Sequence, residues 1–316
     1  MDLMEEGNVS CGVKNCSTPG FQGNCSNQDL CVTVIVVPLI IFGLLGNTLT
    51  LLVVWLRPNM RSSAHLYLSS MAVSDLLILL LLALGLLQVW TQKLGVFGFK
   101  LTMFLSECCT FCTILHITFL SLERYLVVCW PITSKTLVTR RRTRALIGCL
   151  WLGAAVSAAP FLVMMNSFSS GLELAMIILT NLYVVVPMCI LGLVYILIGR
   201  TLRLRPQRSR KDKSHRHAVK MLGVIFLAFV LCWLPYIVCL TKSYVSQRSG
   251  LNSTDFSFIL VSWILSRLSA AINPLVYNLM SARYRHAVRS LVHTHCLTPS
   301  HRLSTTLSSG HSTTTL

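Results

Sequence analysis

Seven stretches of this chain are too long and too apolar to be read as soluble helices. Residues 32–56, 145–165, 174–199 and 221–241 contain no Asp, Glu, Lys or Arg, and 66–90, 101–122 and 256–280 carry one each, namely Asp75, Glu107 and Arg267. A hydrocarbon layer about 30 Å thick is crossed by roughly 20 apolar residues in helical form, so each stretch is long enough to span it. Lipid offers no partner to a backbone N–H or C=O, and a segment that must close its own hydrogen bonds is an α-helix. The expectation is an all-α membrane protein, a seven-helix bundle over residues 32–281. A composition of 54% hydrophobic and 12% charged residues over 316 positions agrees with lipid rather than with two soluble domains.

The formal net charge of +17 first suggests nucleic acid, but its distribution rejects that partner. When alternate loops are assigned to the two sides of the bundle, 21 of the 27 Lys and Arg residues fall on one side and five on the other. Basic loops stay cytoplasmic, which predicts an external N-terminus and an internal C-terminus. The N-terminal tail, residues 1–31, lacks the apolar stretch of a cleaved signal peptide. It carries the glycosylation sequons at Asn8, Asn15 and Asn24; a fourth, at Asn252, lies in the last external loop. Cys11, Cys16, Cys25 and Cys31 are even in number on the oxidising side, where one or two disulfides form; their pairing is open.

Ionisable and amide side chains within the spans are expensive in lipid and mark function by default. Asp75, Asn47 and Asn273 lie at similar depth in three spans. They ring an interior water or cation site, or form a satisfied polar network that fixes packing. Pro187, Pro235 and Pro274 punctuate three spans, which are expected to kink there. With Trp233 and the aromatic Tyr277 beside them, such kinks suit a bundle with two packings, or simply shape a fixed one. Arg124, next to Glu123, ends the third span near the level of Tyr195 and Tyr277. It reads as a latch held by Glu123 in one state and freed in another, or as a guanidinium that snorkels.

Gly46-Asn47, Leu-Ser-Ser-Met-Ala-Val-Ser-Asp75, Glu123-Arg124-Tyr125, Trp151, Cys232-Trp233-Leu234-Pro235 and Asn273-Pro274-x-x-Tyr277 stand in order along the chain. They resemble the helix signatures of rhodopsin-like (class A) G-protein-coupled receptors over residues 32–292. The stretches 115–125, 137–147, 195–200 and 268–274 resemble the motilin and ghrelin receptor branch, with Leu137-Val-Thr-Arg-Arg-Arg leaning toward motilin receptors. The resemblance implies a plasma-membrane receptor for an extracellular peptide agonist, coupled to a heterotrimeric G protein of the Gq class and to calcium through phospholipase C. It implies a sodium-linked network at Asp75, Asn47 and Asn273, with no other cofactor and no metal. Trp233 above Pro235 becomes the toggle, and Arg124 engages Tyr195 and Tyr277 on activation. Glu107 matches the branch's acidic pocket residue, and Ser106, Thr110 and Arg267 are candidate ligand-binding positions with it.

The outer half departs from the pattern. Phe99 stands where the family's third-helix cysteine is expected, the loop at 166–173 is short and lacks cysteine, and Leu240 replaces the branch's sixth-helix Arg. These changes leave open an alternative within the same fold, a receptor with altered or lost peptide response: orphan, constitutive or modulatory. Without its usual partner, Glu107 is expected to pair with Arg267 directly or through water, unless Arg267 snorkels through a solvated pocket. Transporters, retinal photoreceptors and enzymes fit less well: there are no internal repeats, no Lys in the seventh span, and no nucleophile–base pair or metal motif. Residues 282–293 alternate basic and apolar positions, predicting a short amphipathic eighth helix on the inner leaflet. Cys296 follows as a palmitoylation site or a free thiol, and 294–316 reads as a disordered tail. Its Ser/Thr run would be phosphorylated by receptor kinases and read by arrestin, and its terminal Thr-Thr-Leu fits a PDZ domain.

Overall fold

The computed structural model describes residues 21–56, 63–91, 95–164, 170–204, 210–249, 256–280, 284–286 and 288–289. Among these residues every regular element is helical: α1 (Phe21–Leu56), α2 (Ser63–Thr91), α3 (Val96–Cys129), α4 (Pro131–Leu137), α5 (Arg140–Ala158), α6 (Pro160–Met164), α7 (Ser170–Leu204), α8 (Arg210–Ser249) and α9 (Phe256–Met280). Seven helical stretches are long and apolar enough to cross a membrane, one for each apolar run of the sequence.

The helices outrun the apolar runs. α1 begins at Phe21 rather than 32, α3 continues to Cys129 rather than 122, and α8 begins at Arg210 rather than 221. Hydropathy marks the lipid slab; a helix already nucleated inside it propagates into water, where each further residue adds one hydrogen bond. The N-terminal tail therefore includes the first turns of α1. The fourth apolar run divides at Ala159, between α5 and α6, because Pro160 has no N–H to continue the ladder. Pro38 is a fourth proline inside a spanning helix, beside Pro187, Pro235 and Pro274.

α3 is the central helix. About 67% of its most apolar window is buried, against 17% for the stretch through α5, which lies at the periphery. α1 packs on α2 and α9, α9 on α8, α8 on α7, and α7 on α3, so the bundle closes around the hub. The largest core cluster joins α2, α3, α7, α8 and α9 through Met71, Ile117, Leu191, Trp233 and Val276. α1 meets α9 at Gly46, where a Cβ would stand 2.9 Å from the Cβ of Pro274. Only glycine permits that approach. At the other end of α3, Trp130 breaks the helix, Pro131 opens α4, and Thr139 caps α5 by accepting from the Arg142 N–H at 3.4 Å.

Of the predicted eighth helix, only residues 284–286 and 288–289 are described, all helical, and its length is not fixed by them. Tyr284 is buried against Val53, and its hydroxyl lies 3.1 Å from that of Thr50 on α1. Asn8, Asn15, Asn252, Cys296 and the tail lie outside the described residues, and Asn24 falls in the first turns of α1 with its side chain outside them.

Candidate functional site

The interior polar groups form two tiers. In the lower tier Asp75, fully buried on α2, accepts from the Thr113 hydroxyl of α3 at 3.1 Å and from Asn273 Nδ2 of α9 at 2.8 Å. Ser74 reinforces the seam, its hydroxyl 2.7 Å from that of Thr113. Asn47 takes another role: its Nδ2 donates to the carbonyls of Gly43 and Ala270, both at 3.0 Å, tying α1 to α9. Its Oδ1 is buried without a partner. One carboxylate clasping a hydroxyl and an amide from two other helices is the arrangement that makes a charge tolerable in lipid.

Whether these residues suit a cation can be tested on their donor set. The carboxylate of Asp75, the hydroxyls of Thr113 and Ser74 and the orphaned Oδ1 of Asn47 are all oxygens, the ligand type that hard cations take. The residues fit such an ion.

In the upper tier Glu107 and Arg267 form an ion pair across α3 and α9, Oε1 to guanidinium nitrogen 3.6 Å, with side-chain exposures of 8% and 10%. The pairing is direct. Arg267 also donates to the Ser106 hydroxyl at 3.1 Å and to Thr110 Oγ1 at 3.4 Å, and its guanidinium lies 5.8 Å from the centre of the Trp263 ring. The four residues singled out in the sequence are thus brought together. Trp263 belongs with them, although nothing in an apolar run distinguishes an aromatic neighbour of a charge from a lipid-facing one.

A cavity of about 20 Å³, room for about one water, joins the tiers. Arg267 and Thr110 line it above, Thr113 and Asn273 below, and Trp233 forms part of its wall. Trp233 is buried, edge-on to Tyr236 and tilted against Phe229.

At the far end of α3, Glu123 is buried, and Arg124 and Tyr125 are partly buried. Tyr125 packs into the cluster of Val128, Val194 and Ile198 and accepts from Trp130 Nε1 at 3.4 Å. Tyr195 lies on the seam with α8, against Gly223, where a Cβ would stand 2.7 Å from its ring. Tyr277 is on α9 with its side chain outside the described residues. Sequence reasoning missed His116, fully buried on α3 between Tyr67 and Trp151, with Nδ1 donating to the Cys112 carbonyl at 2.6 Å and Nε2 unpartnered. Its signal was available, a titratable residue in an apolar run. Trp151 Nε1 donates to the Ser70 hydroxyl at 2.9 Å, joining α5 to α2.

Residues 46–277 match the family profile of the 7 transmembrane receptor (rhodopsin family). The chain belongs to that family, a class of multi-pass membrane receptors and not of enzymes. It is 38% identical over 293 residues to the growth hormone secretagogue receptor type 1 of Homo sapiens, which covers 83% of this chain and 80% of that protein. It is 34% identical over 330 residues to the Homo sapiens motilin receptor, with the same coverage, and 31% identical over 316 residues to the Mus musculus neuromedin-U receptor 2, covering 88% and 79%. Within the family it is a G-protein-coupled receptor of the ghrelin and motilin branch. Identity is higher to the growth hormone secretagogue receptor than to the motilin receptor.

Proposed function

We propose that this chain is a plasma-membrane receptor for a motilin- or ghrelin-like peptide, with its N-terminus outside and its C-terminus inside, coupled to a Gq-class G protein and calcium release. The observation that carries the reading is a cavity that runs from Arg267, the partner of Glu107, past Trp233 to Thr113 and Asn273, the partners of Asp75. A ligand group that separates Arg267 from Glu107 changes the wall of the same cavity that Trp233 and the Asp75 network share. Ser106 and Thr110 are the neutral partners on which Arg267 can rest meanwhile. Motion of α8 about Pro235 would then alter the seam where Tyr195 meets Gly223, beside the end of α3 that bears Arg124.

A sodium ion at Asp75, held with Thr113 and Asn47 Oδ1, would stabilise the resting arrangement by neutralising the buried carboxylate. Receptor kinases and arrestin would act on the Ser/Thr-rich tail, and a PDZ domain on its last residues.

Calcium release in cells expressing the full chain, with Arg124→Ala as control, tests the reading across motilin, ghrelin and no peptide. A saturable response to one peptide that Arg124→Ala abolishes is expected. Surface-expressed protein that answers neither peptide would overturn it.

A further inference from the structure

A groove of about 530 Å³ opens on the lateral surface between α7 and α8, toward the ends of these helices farther from α4. Ile237, Val238 and Val245 supply an apolar wall, Asn181 of α7 and Thr241 of α8 a polar patch, and Lys242 and Ser246 the rim. We propose that this groove is a binding site for a membrane phospholipid, one acyl chain lying along Ile237 and Val238 and the phosphate meeting Lys242.

The lateral surface of a bundle in lipid is ordinarily apolar, as at Ile178, Leu182 and Val185 of α7. Asn181 and Thr241 break that rule on an exposed face. They satisfy each other: Asn181 Nδ2 donates to Thr241 Oγ1 at 3.2 Å and to the Ile177 carbonyl at 2.8 Å, and the Thr241 hydroxyl reaches Asn181 Oδ1 at 3.4 Å. The pair thereby bridges α7 and α8 at the polar end of the groove.

Lys242 is the next residue, exposed, and no carboxylate among the described residues lies within ion-pairing distance of it. It is the first charged residue after residues 221–241, which contain no Asp, Glu, Lys or Arg, and so stands where a bilayer turns from acyl chains to phosphates. From Lys242 back to Ile237 the helix descends roughly 7.5 Å toward the membrane centre, so a head group at the ammonium points its chain down the apolar wall. The volume lies within the ~300–1,000 Å³ of small-molecule sites. Lys242, the Asn181–Thr241 pair beneath it and the apolar Ile237 and Val238 deeper still match the order of groups along a phospholipid, with Val245 on the outer side of the charge.

The test uses the full chain in phosphatidylcholine nanodiscs doped with a phospholipid that carries a photoreactive diazirine on its acyl chain. After illumination, the expected label is concentrated on the 237–246 peptide. Lys242→Glu should lower it at least about fivefold, the factor that one cation near a lipid phosphate contributes. Lys242→Arg should retain it, and Val238→Trp, which fills the groove without touching the charge, should also abolish it. Thermal unfolding at the wild-type temperature confirms that each variant is folded. Labelling of this peptide no greater than that of the α5 lipid face, or indifferent to Lys242→Glu, would mean that Lys242 merely snorkels among bulk lipid. Labelling by a photoreactive fatty acid alone would replace the phospholipid with a free carboxylate. Either result overturns the proposal.

Discussion

Removing either member of the Glu107–Arg267 pair should cost far more than removing both. At 3.6 Å the Coulomb attraction is about 4–5 kcal/mol at an effective dielectric of ~20, and desolvation of two nearly buried ions offsets much of it. A single truncation loses the attraction and keeps the desolvation of the survivor, a penalty of about 3–5 kcal/mol. Arg267 has fallback partners in Ser106, Thr110 and Trp263, so Glu107→Leu should fall near 3 kcal/mol. Glu107 has no such neutral partner among the contacts described, so Arg267→Met should cost more. The double variant leaves no orphaned charge and should lie within about 1 kcal/mol of wild type, a coupling of several kcal/mol. Thermal unfolding in detergent can be followed with a thiol-reactive dye, because Cys108, Cys109, Cys112, Cys232 and Cys239 are buried free thiols. With roughly 2 °C per kcal/mol for a chain of this size, the singles should melt some 6 °C or more below wild type. A double variant whose loss equals the sum of the two singles, within about 0.5 kcal/mol, would refute the pair as the holding interaction.

Three further substitutions probe other joints. Gly46→Val drives a branched side chain into the Pro274 ring and should destabilise by about 1–3 kcal/mol, read as a lower Tm. Asn273→Ala withdraws the 2.8 Å donor from Asp75 and should cost about 2 kcal/mol; Asp75→Asn in the same background should recover part of it, because a neutral amide suffers less from a missing donor. Trp151→Phe keeps the ring packing beside His116 but removes the bond to Ser70, and a loss near 1 kcal/mol is expected in the same assay.

The spans were legible because lipid leaves the backbone one regular solution, so hydropathy alone counted them. Charged residues within them were legible for a related reason: Glu107 and Arg267 each needed a partner, and each was the nearest candidate for the other. Thr113 was not, because a threonine in an apolar run closes its hydroxyl on its own helix as readily as on a neighbour; Thr118, five residues on, bonds the Ile114 carbonyl at 2.9 Å. Asn47 was placed in the right tier but its donors go to backbone carbonyls of α1 and α9, beside the close approach of Gly46 to Pro274. The groove at Lys242 was invisible because it depends on Asn181 and Thr241 facing each other across 60 positions of sequence.

The two polar tiers bear on one mechanical question, how α9 is held to α3. The upper hold is direct, Arg267 to Glu107. The lower one is relayed, Asn273 to Asp75 to Thr113, and runs through α2. Along each helix the two holds are six residues apart, roughly 9 Å, so they share rigid rods on both sides. Loosening the upper hold would let α9 tilt about the lower one, with the small cavity beside Trp233 lying between them. Close packing makes such a change discrete rather than gradual, because closing a cavity with room for about one water shifts the side chains that line it, Trp233 among them. An ion pair suits the upper position better than an apolar contact of equal strength. A charged ligand group can exchange for one member of the pair, whereas a packed hydrocarbon contact offers no comparable point of attack.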